Sequence, residues 1–284
     1  MLNQVTGKKL QEASVPPTDL ARLSEALGVV EIEIKELRVD DIRAYGSAWS
    51  ARVANVERKN LRLDGMVLPL EAGYKIVLNS NRPSRVRFSW AHELGHIILQ
   101  SGGLTGPRAG RAVRSYKETE DLCDRIAAEI LMPKEQFREH MERSHGTLAA
   151  VPTLAQIFDA SILSTAIRYT DLLTMPAVLS VWKTEADQLK FGWRHANGHC
   201  RPYSFGIPKG TRARETGREG PYMAHQTTDV VRTEETLLVS RRSRDGERHN
   251  WVRFPTESMG FGSYQNRFVL SLSYVEVPGK RKEN

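Results

Sequence analysis

The chain has 284 residues, enough for two or three domains that each bury a core of their own. No run of eighteen or more apolar residues occurs, and the first twenty residues lack the apolar core of a secretory signal, so we expect a cytoplasmic protein without a membrane span. The net charge of +7 makes nucleic acid or an acidic protein surface a plausible partner, but the basic residues are spread along the chain. The densest basic stretch, SRRSRDGER at 240–248, is typical of a solvated loop.

The first third of the chain predicts a short helix followed by a small sheet. Leucines at helical spacing indicate a helix over 18–28, with Asp19 as its cap and Gly28 at its end. The segments VVEIEIKEL, MVLPL and YKIVLN predict strands, and the last two are separated by a turn at 71–74. A helix that contains the sequence HELGH comes next, and another runs from about Lys117 to Met132, where Pro133 ends it.

The second half of the chain changes character twice. Residues 147–175 predict two apolar helices broken at FDAS, an arrangement typical of a helix-turn-helix. After Pro176 the chain becomes rich in strands, which predicts a separate α+β or mainly β domain. The sequence therefore predicts an α+β protein in three parts: residues 1–145, a helical segment at 146–176, and a strand-rich domain at 177–284.

The stretch SWAHELGHIIL places polar residues inside an apolar helix. His92 and His96 are four residues apart, so they project from one helix face on adjacent turns, the spacing by which a helix supplies two ligands to a catalytic zinc ion. Glu93 lies on the same arc and could take a proton from the attacking water. Trp90, Leu94, Ile97 and Ile98 lie on the opposite arc, and Gly95 suggests that another element packs close to the helix.

A third metal ligand has to come from elsewhere, and the next helix is acidic. Its candidates are Glu118, Glu120, Asp121 and Asp124. Glu120 and Asp124 share a face, so Glu120 could complete the site while Asp124 accepts a hydrogen bond from a ligand histidine. The spacing is equally compatible with a solvated acidic first turn that favours the helix dipole.

Two of these motifs resemble a known family. RFSWAHELGHIIL followed by ETEDLCDRIAAEILMP is similar to the ImmA/IrrE family of zinc metallopeptidases. The resemblance implies a zincin-like domain in which His92, His96 and Glu120 bind Zn²⁺. It also implies that Glu93 is the general base and that Asp124 supports a ligand histidine.

The segment LAQIFDASILSTAIRYTDLL also resembles the part of the family that follows the peptidase core, with Ala160 where valine is usual. By analogy with IrrE-type regulators, the last domain would be a GAF-like sensor. The family resemblance implies limited cleavage of a helix-turn-helix (XRE-type) transcription repressor, which would release stress or DNA-damage response genes.

Two other interpretations stay open. The chain could be a DNA-binding regulator with a structural zinc site, although the candidate recognition helix carries Arg168 as its sole basic residue. The sequence WRHANGHC could hold a second metal through His195, His199 and Cys200, but Asn197 and Gly198 favour a loop. Nothing in the sequence selects an oxyanion-stabilising group among its five candidates, Tyr116, His140, His145, Arg111 and Arg114.

Overall fold

The structure of the chain is a computed structural model. It describes residues 17–37, 64–81, 85–102, 116–144, 147–185, 188–201, 203–208, 211–213, 218–243, 246–262 and 267–275. The described part is a mixed α+β fold with seven helices and two sheets. The chain forms two compact units, one from Met1–Gln136 with Gln156–Ser161, and one from Phe137–Ala155 with Ile162–Asn284.

The first unit begins with the predicted helix and small sheet. Helix α1 (Leu20–Ala26) starts where the Asp19 side chain accepts a hydrogen bond from the Arg22 amide at 3.0 Å. The strands are β1 (Val29–Lys35), β2 (Gly65–Leu70) and β3 (Gly73–Asn79). Strand β3 lies between the other two, parallel to β1 and antiparallel to β2, and Ile76, Val77 and Leu78 at its centre are fully buried.

Two long helices follow the sheet. Helix α2 (Val86–Ser101) carries the HELGH sequence and contacts β2, β3 and helix α3 (Tyr116–Leu131). The sequence predicted an apolar arc and a polar arc on α2, but the polar arc is also enclosed, because Glu93 and His96 are only 5% and 9% exposed. Polar groups therefore lie inside the fold, where they need partners or a bound ion.

The two helices lie close together at Gly95. A Cβ atom added to Gly95 would lie 3.2 Å from Cα and 3.3 Å from the carbonyl oxygen of Cys123 on α3. This confirms the expectation that an element packs close to the mid-helix glycine.

Shorter helices follow α3 along the chain. They are α4 (Lys134–Arg143), a single 3₁₀ turn (Leu148–Ala150), α5 (Val151–Ile157) and α6 (Ile162–Leu172). The predicted break at FDAS is confirmed: Asp159 has a left-handed φ of 47°, and the two helical segments are bent by 117°.

No single helix of the described residues is long and apolar enough to cross a membrane. The bent pair Leu148–Ile157 and Ile162–Leu172 is long and apolar enough only when the two helices are counted as one segment.

The second unit contains a six-stranded antiparallel sheet. Its strands are β4 (Ala177–Glu185), β5 (Gln188–Ala196), β6 (Tyr203–Gly206), β7 (Val231–Ser243), β8 (Gly246–Phe261) and β9 (Phe268–Tyr274), in the order β5-β4-β9-β8-β7-β6. The sequence prediction missed β6 and helix α7 (Glu219–Gln226). Its Gly220-Pro221 pair indicates a loop, but proline is tolerated in the first turn of a helix.

The helices at 148–172 are attached to this sheet by two buried polar side chains. Glu257 on β8 accepts hydrogen bonds from the Leu148 amide at 2.8 Å and from Arg232 at 3.1 Å. Asn197 donates to the carbonyls of Thr170 and Met175 and accepts from the Ala177 amide. Residues 148–155 and 162–172 therefore belong to the same unit as the strands.

Two details of the second unit differ from the sequence predictions. The basic stretch at 240–248 is not a loop, because its two ends pair as β7 and β8, with Arg241 opposite Arg248. WRHANGHC is part strand and part 3₁₀ turn, and the ring of His195 contacts Asp171 at 2.7 Å. Trp251 on β8 is 53% exposed and lies beneath the guanidinium of Arg218 at 5.6 Å.

Glu235 is a carboxyl group in the interior of the second unit. It is fully buried on β7, and neither carboxylate oxygen has a hydrogen-bond partner. Burial raises the pKa of Glu235 to about 8, while the nearby Ser271 hydroxyl and the charge of Arg218 oppose this rise only in part. The Ser271 hydroxyl instead forms a hydrogen bond with the Ser258 hydroxyl at 2.8 Å.

We predict that Glu235→Gln changes how stability depends on pH. A carboxyl whose pKa is higher in the folded state contributes stability that is complete below the unfolded value near 4.5 and is lost as pH rises through about 8. The wild-type chain should therefore lose up to about 1.4 kcal/mol per pH unit across this window, and the variant should not. Chemical denaturation at several pH values checks this. The exposed neighbour Glu234 supplies the control variant Glu234→Gln, and a wild-type slope in Glu235→Gln would contradict the prediction.

Candidate active site

Three polar side chains of the two long helices converge on one point. His92 and His96 project from adjacent turns of α2, and Glu120 projects toward them from α3. One carboxylate oxygen of Glu120 lies 3.3 Å from Nε2 of His92, and the other lies 3.5 Å from Nε2 of His96. The structure thus brings together the two histidines and the acid that the sequence singled out.

The second nitrogen of each histidine ring also has a neighbour on α3. Nδ1 of His92 is 2.9 Å from a carboxylate oxygen of Asp124. Nδ1 of His96 is 3.3 Å from the sulfur of Cys123. Both Nε2 atoms therefore face Glu120, while both Nδ1 atoms face side chains one turn further along the same helix.

Glu93 lies beside this group and is nearly enclosed. Its side chain lies against Gly65 at the start of β2, where an added Cβ would be 3.2 Å from a carboxylate oxygen of Glu93. Glycine at this position leaves the glutamate the room that it occupies. A larger residue would displace either Glu93 or the strand.

The carboxylates set the charge of the first histidine. Burial of the His92 ring disfavours its charged form, but hydrogen bonds to Asp124 and Glu120 and the charge of Glu93 outweigh this and raise the pKa of His92 to about 10. In the protein without a metal ion, the ring is therefore protonated at neutral pH. A metal ion that takes its Nε2 atom must compete with that proton.

The donor atoms fit a catalytic zinc ion. Two imidazole nitrogens and one carboxylate are a ligand set that catalytic zinc sites use, and three protein ligands leave a coordination position open for substrate. Among the described residues, a second set of possible ligand atoms comprises His92, His96 and Cys123, whose ligand atoms lie within 4.8 Å of one another. The Glu120 set uses Nε2 of both rings and leaves each Nδ1 with a hydrogen-bonding neighbour, so we favour it.

Sequence reasoning missed two residues of this site. Cys123 received no role because a lone cysteine between acidic residues has no distinctive spacing, and only packing at Gly95 places it beside His96. Gly65 gives no signal in the sequence because it lies on β2, well before Glu93 in the chain, although the two residues are in contact in the fold. Of the oxyanion candidates, Arg111, Arg114 and His145 lie outside the described residues, as does the side chain of Tyr116, and His140 lies on α4 in the second unit.

Comparison with known proteins supports the family resemblance. Residues 52–170 match the family model of the IrrE N-terminal-like domain, a peptidase family. The chain is 36% identical over 167 residues to the radiation response metalloprotease IrrE of Deinococcus radiodurans, an alignment that covers 55% of this chain. Both matches support an ImmA/IrrE family metallopeptidase, in agreement with the resemblance noted in the sequence.

The chain matches only part of these relatives. The alignment covers 51% of the length of the Deinococcus protein, so the chain spans about half of that relative. A solved structure described as a Mycobacterium tuberculosis transcriptional regulator aligns over 95% of this chain and 75% of that chain, with a TM-score of 0.49 and 14% identity. A likeness at this level does not define a shared function.

We predict that Glu120→Ala removes most of the bound zinc, because it deletes the one carboxylate that faces both Nε2 atoms. Glu118→Ala should retain zinc, because Glu118 is exposed and lies two residues away on another face of α3. The metal content of the purified variants, measured by mass spectrometry, checks both results. Equal loss of zinc in the two variants would show that Glu120 is not a ligand.

Proposed function

We propose that this chain is a cytoplasmic zinc endopeptidase that makes a limited cut in an XRE-type helix-turn-helix repressor and so relieves repression of stress or DNA-damage response genes. The observation that carries the enzymatic part is the convergence of His92, His96 and Glu120, with the buried carboxylate of Glu93 on the same helix. The similarity to a radiation response metalloprotease supports the biological setting.

The proposed chemistry assigns one task to each side chain. His92, His96 and Glu120 would hold the zinc ion, which when bound lowers the pKa of water and polarises the substrate carbonyl. Glu93 accepts the proton of the attacking water and delivers it to the amine that leaves. Because Glu93 is only 5% exposed, little bulk water competes for that proton.

One further side chain in the proposal acts through a histidine. With Nε2 directed to the metal, the remaining proton of each ring is on Nδ1. In His92 this Nδ1–H group would donate a hydrogen bond to the Asp124 carboxylate, whose oxygen lies 2.9 Å from Nδ1. This contact fixes the tautomer and orientation of the ring and makes Nε2 a better donor to the metal.

The substrate follows from the family and not from the chemistry. A zinc ion and a general base cleave peptide bonds without selecting one, so a limited cut requires further contacts. We propose that residues beyond 146 supply these contacts or control access, and that the six-stranded sheet at 177–284 is a GAF-like sensor domain. Its buried, unpartnered Glu235 is compatible with a role beyond simple packing.

We predict that Glu93→Gln abolishes cleavage while zinc stays bound, because the amide keeps the shape of the side chain but cannot accept a proton. Cleavage of an XRE-type repressor encoded beside this chain's gene, followed by gel electrophoresis, measures the first effect, and metal analysis measures the second. The exposed Glu135 on α4 provides the matched variant Glu135→Gln, which should cleave normally. Normal cleavage by Glu93→Gln would refute the general-base role.

A DNA-binding assay separates this proposal from direct operator binding by α5 and α6. We predict that the chain alone does not retard operator DNA, and that it releases DNA from the repressor only when Glu93 is intact. Wild-type chain and Glu93→Gln, each mixed with labelled operator with and without repressor, provide the four necessary measurements. Retardation by the chain alone, unaffected by Glu93→Gln, would favour a DNA-binding regulator with a structural zinc site.

A further inference from the structure

The two histidines of the site have different partners on their Nδ1 atoms. Asp124 contacts His92, as the sequence suggested, but the partner of His96 is the thiol of Cys123. We propose that Cys123 is a positioning residue, whose sulfur accepts a hydrogen bond from Nδ1 of His96 and thereby directs Nε2 of that ring to the metal. This inference rests on the proposed zinc site.

The positions of the atoms favour this role over direct coordination. The Cys123 sulfur lies 3.3 Å from Nδ1 of His96, whereas the carboxylate of Glu120 lies 3.5 Å from Nε2 of the same ring. The lone pairs of the two imidazole nitrogens point to different sides of the ring. Nε2 and Glu120 would therefore hold an ion away from the sulfur, which faces Nδ1.

The packing of the two helices fixes the sulfur in this place. Gly95 precedes His96, and a Cβ at Gly95 would lie 3.2 Å from Cα of Cys123. The helix backbones thus meet at the residue before the histidine, so the short cysteine side chain reaches the ring. Cys123 is fully buried and His96 is 9% exposed, so water offers little alternative to this contact.

The contact matters because of the tautomer that it selects. A neutral histidine carries one proton, and Nε2 is available to a metal only when the proton is on Nδ1. A sulfur acceptor at Nδ1 favours this tautomer and restrains rotation of the ring. Sulfur is a weak acceptor, so the effect should be at the lower end of the tenfold to hundredfold range typical of such supporting residues.

Zinc affinity of the full-length chain tests the proposal. We expect Cys123→Ala to weaken zinc binding by about tenfold, measured by competition with a chromophoric chelator. Cys123→Ser, which keeps an acceptor, should recover part of the loss. Cys200→Ala is the matched control, because it removes the other buried cysteine, whose sulfur contacts the Ala177 carbonyl, and it should leave zinc affinity unchanged.

The absorption spectrum of the cobalt-substituted protein distinguishes a positioning residue from a ligand. If Cys123 acts through His96, the wild-type spectrum has no thiolate-to-cobalt charge-transfer band, while Cys123→Ala shifts the visible bands as the ring reorients. A charge-transfer band that disappears in Cys123→Ala would identify Cys123 as a direct ligand and overturn the proposal. Unchanged affinity and visible bands in that variant would also overturn it.

The outcome does not depend on whether the chain cleaves a repressor. Circular dichroism of the metal-free variants establishes that they fold, and Cys123→Ser carries the same test if Cys123→Ala does not. Zinc binding with the predicted differences, but without proteolysis in the wild-type chain, would reject the proposed function and leave the role of Cys123 standing. Absence of zinc binding by the wild-type chain would reject both.

Discussion

The close approach of α2 and α3 at Gly95 is the constraint on which the site depends. A side chain at this position would press against the backbone of Cys123, so any larger residue requires a small shift of the two helices. The spacing lets Glu120 reach both histidines, and it places Cys123 and Asp124 against the outer nitrogens of the rings. Glycine in mid-helix costs about 1 kcal/mol relative to alanine, and here that cost accompanies an arrangement of five side chains.

Enclosure gives the site its electrostatic character. His92, Glu93 and His96 lie in a largely buried helix, so their charges interact with one another more than with water. The carboxylates of Glu120 and Asp124 hold a proton on His92 in the absence of metal, as its pKa of about 10 shows. A divalent cation would replace this proton and balance the same carboxylates, which is why a metal ion suits the site.

Two buried acidic residues of the second unit differ in their hydrogen bonding. Glu257 is surrounded by donors, including the Leu148 amide and Arg232, and it connects helix to sheet. Glu235 has no hydrogen-bond partner and instead holds its proton more strongly. A partnered carboxylate is a structural element, whereas an unpartnered one makes stability depend on pH.

The sequence by itself determined the local features. It predicted α1 with its Asp19 cap, the three-stranded sheet, both long helices, the break near Asp159 and most strands of the second unit, because periodicity, capping and turn residues act over a few positions. It also singled out His92, Glu93, His96 and Glu120 as candidates. Only the tertiary structure decided that Glu120 faces both rings, that Cys123 contacts His96 and that Gly65 makes room for Glu93, because such contacts join residues distant in sequence.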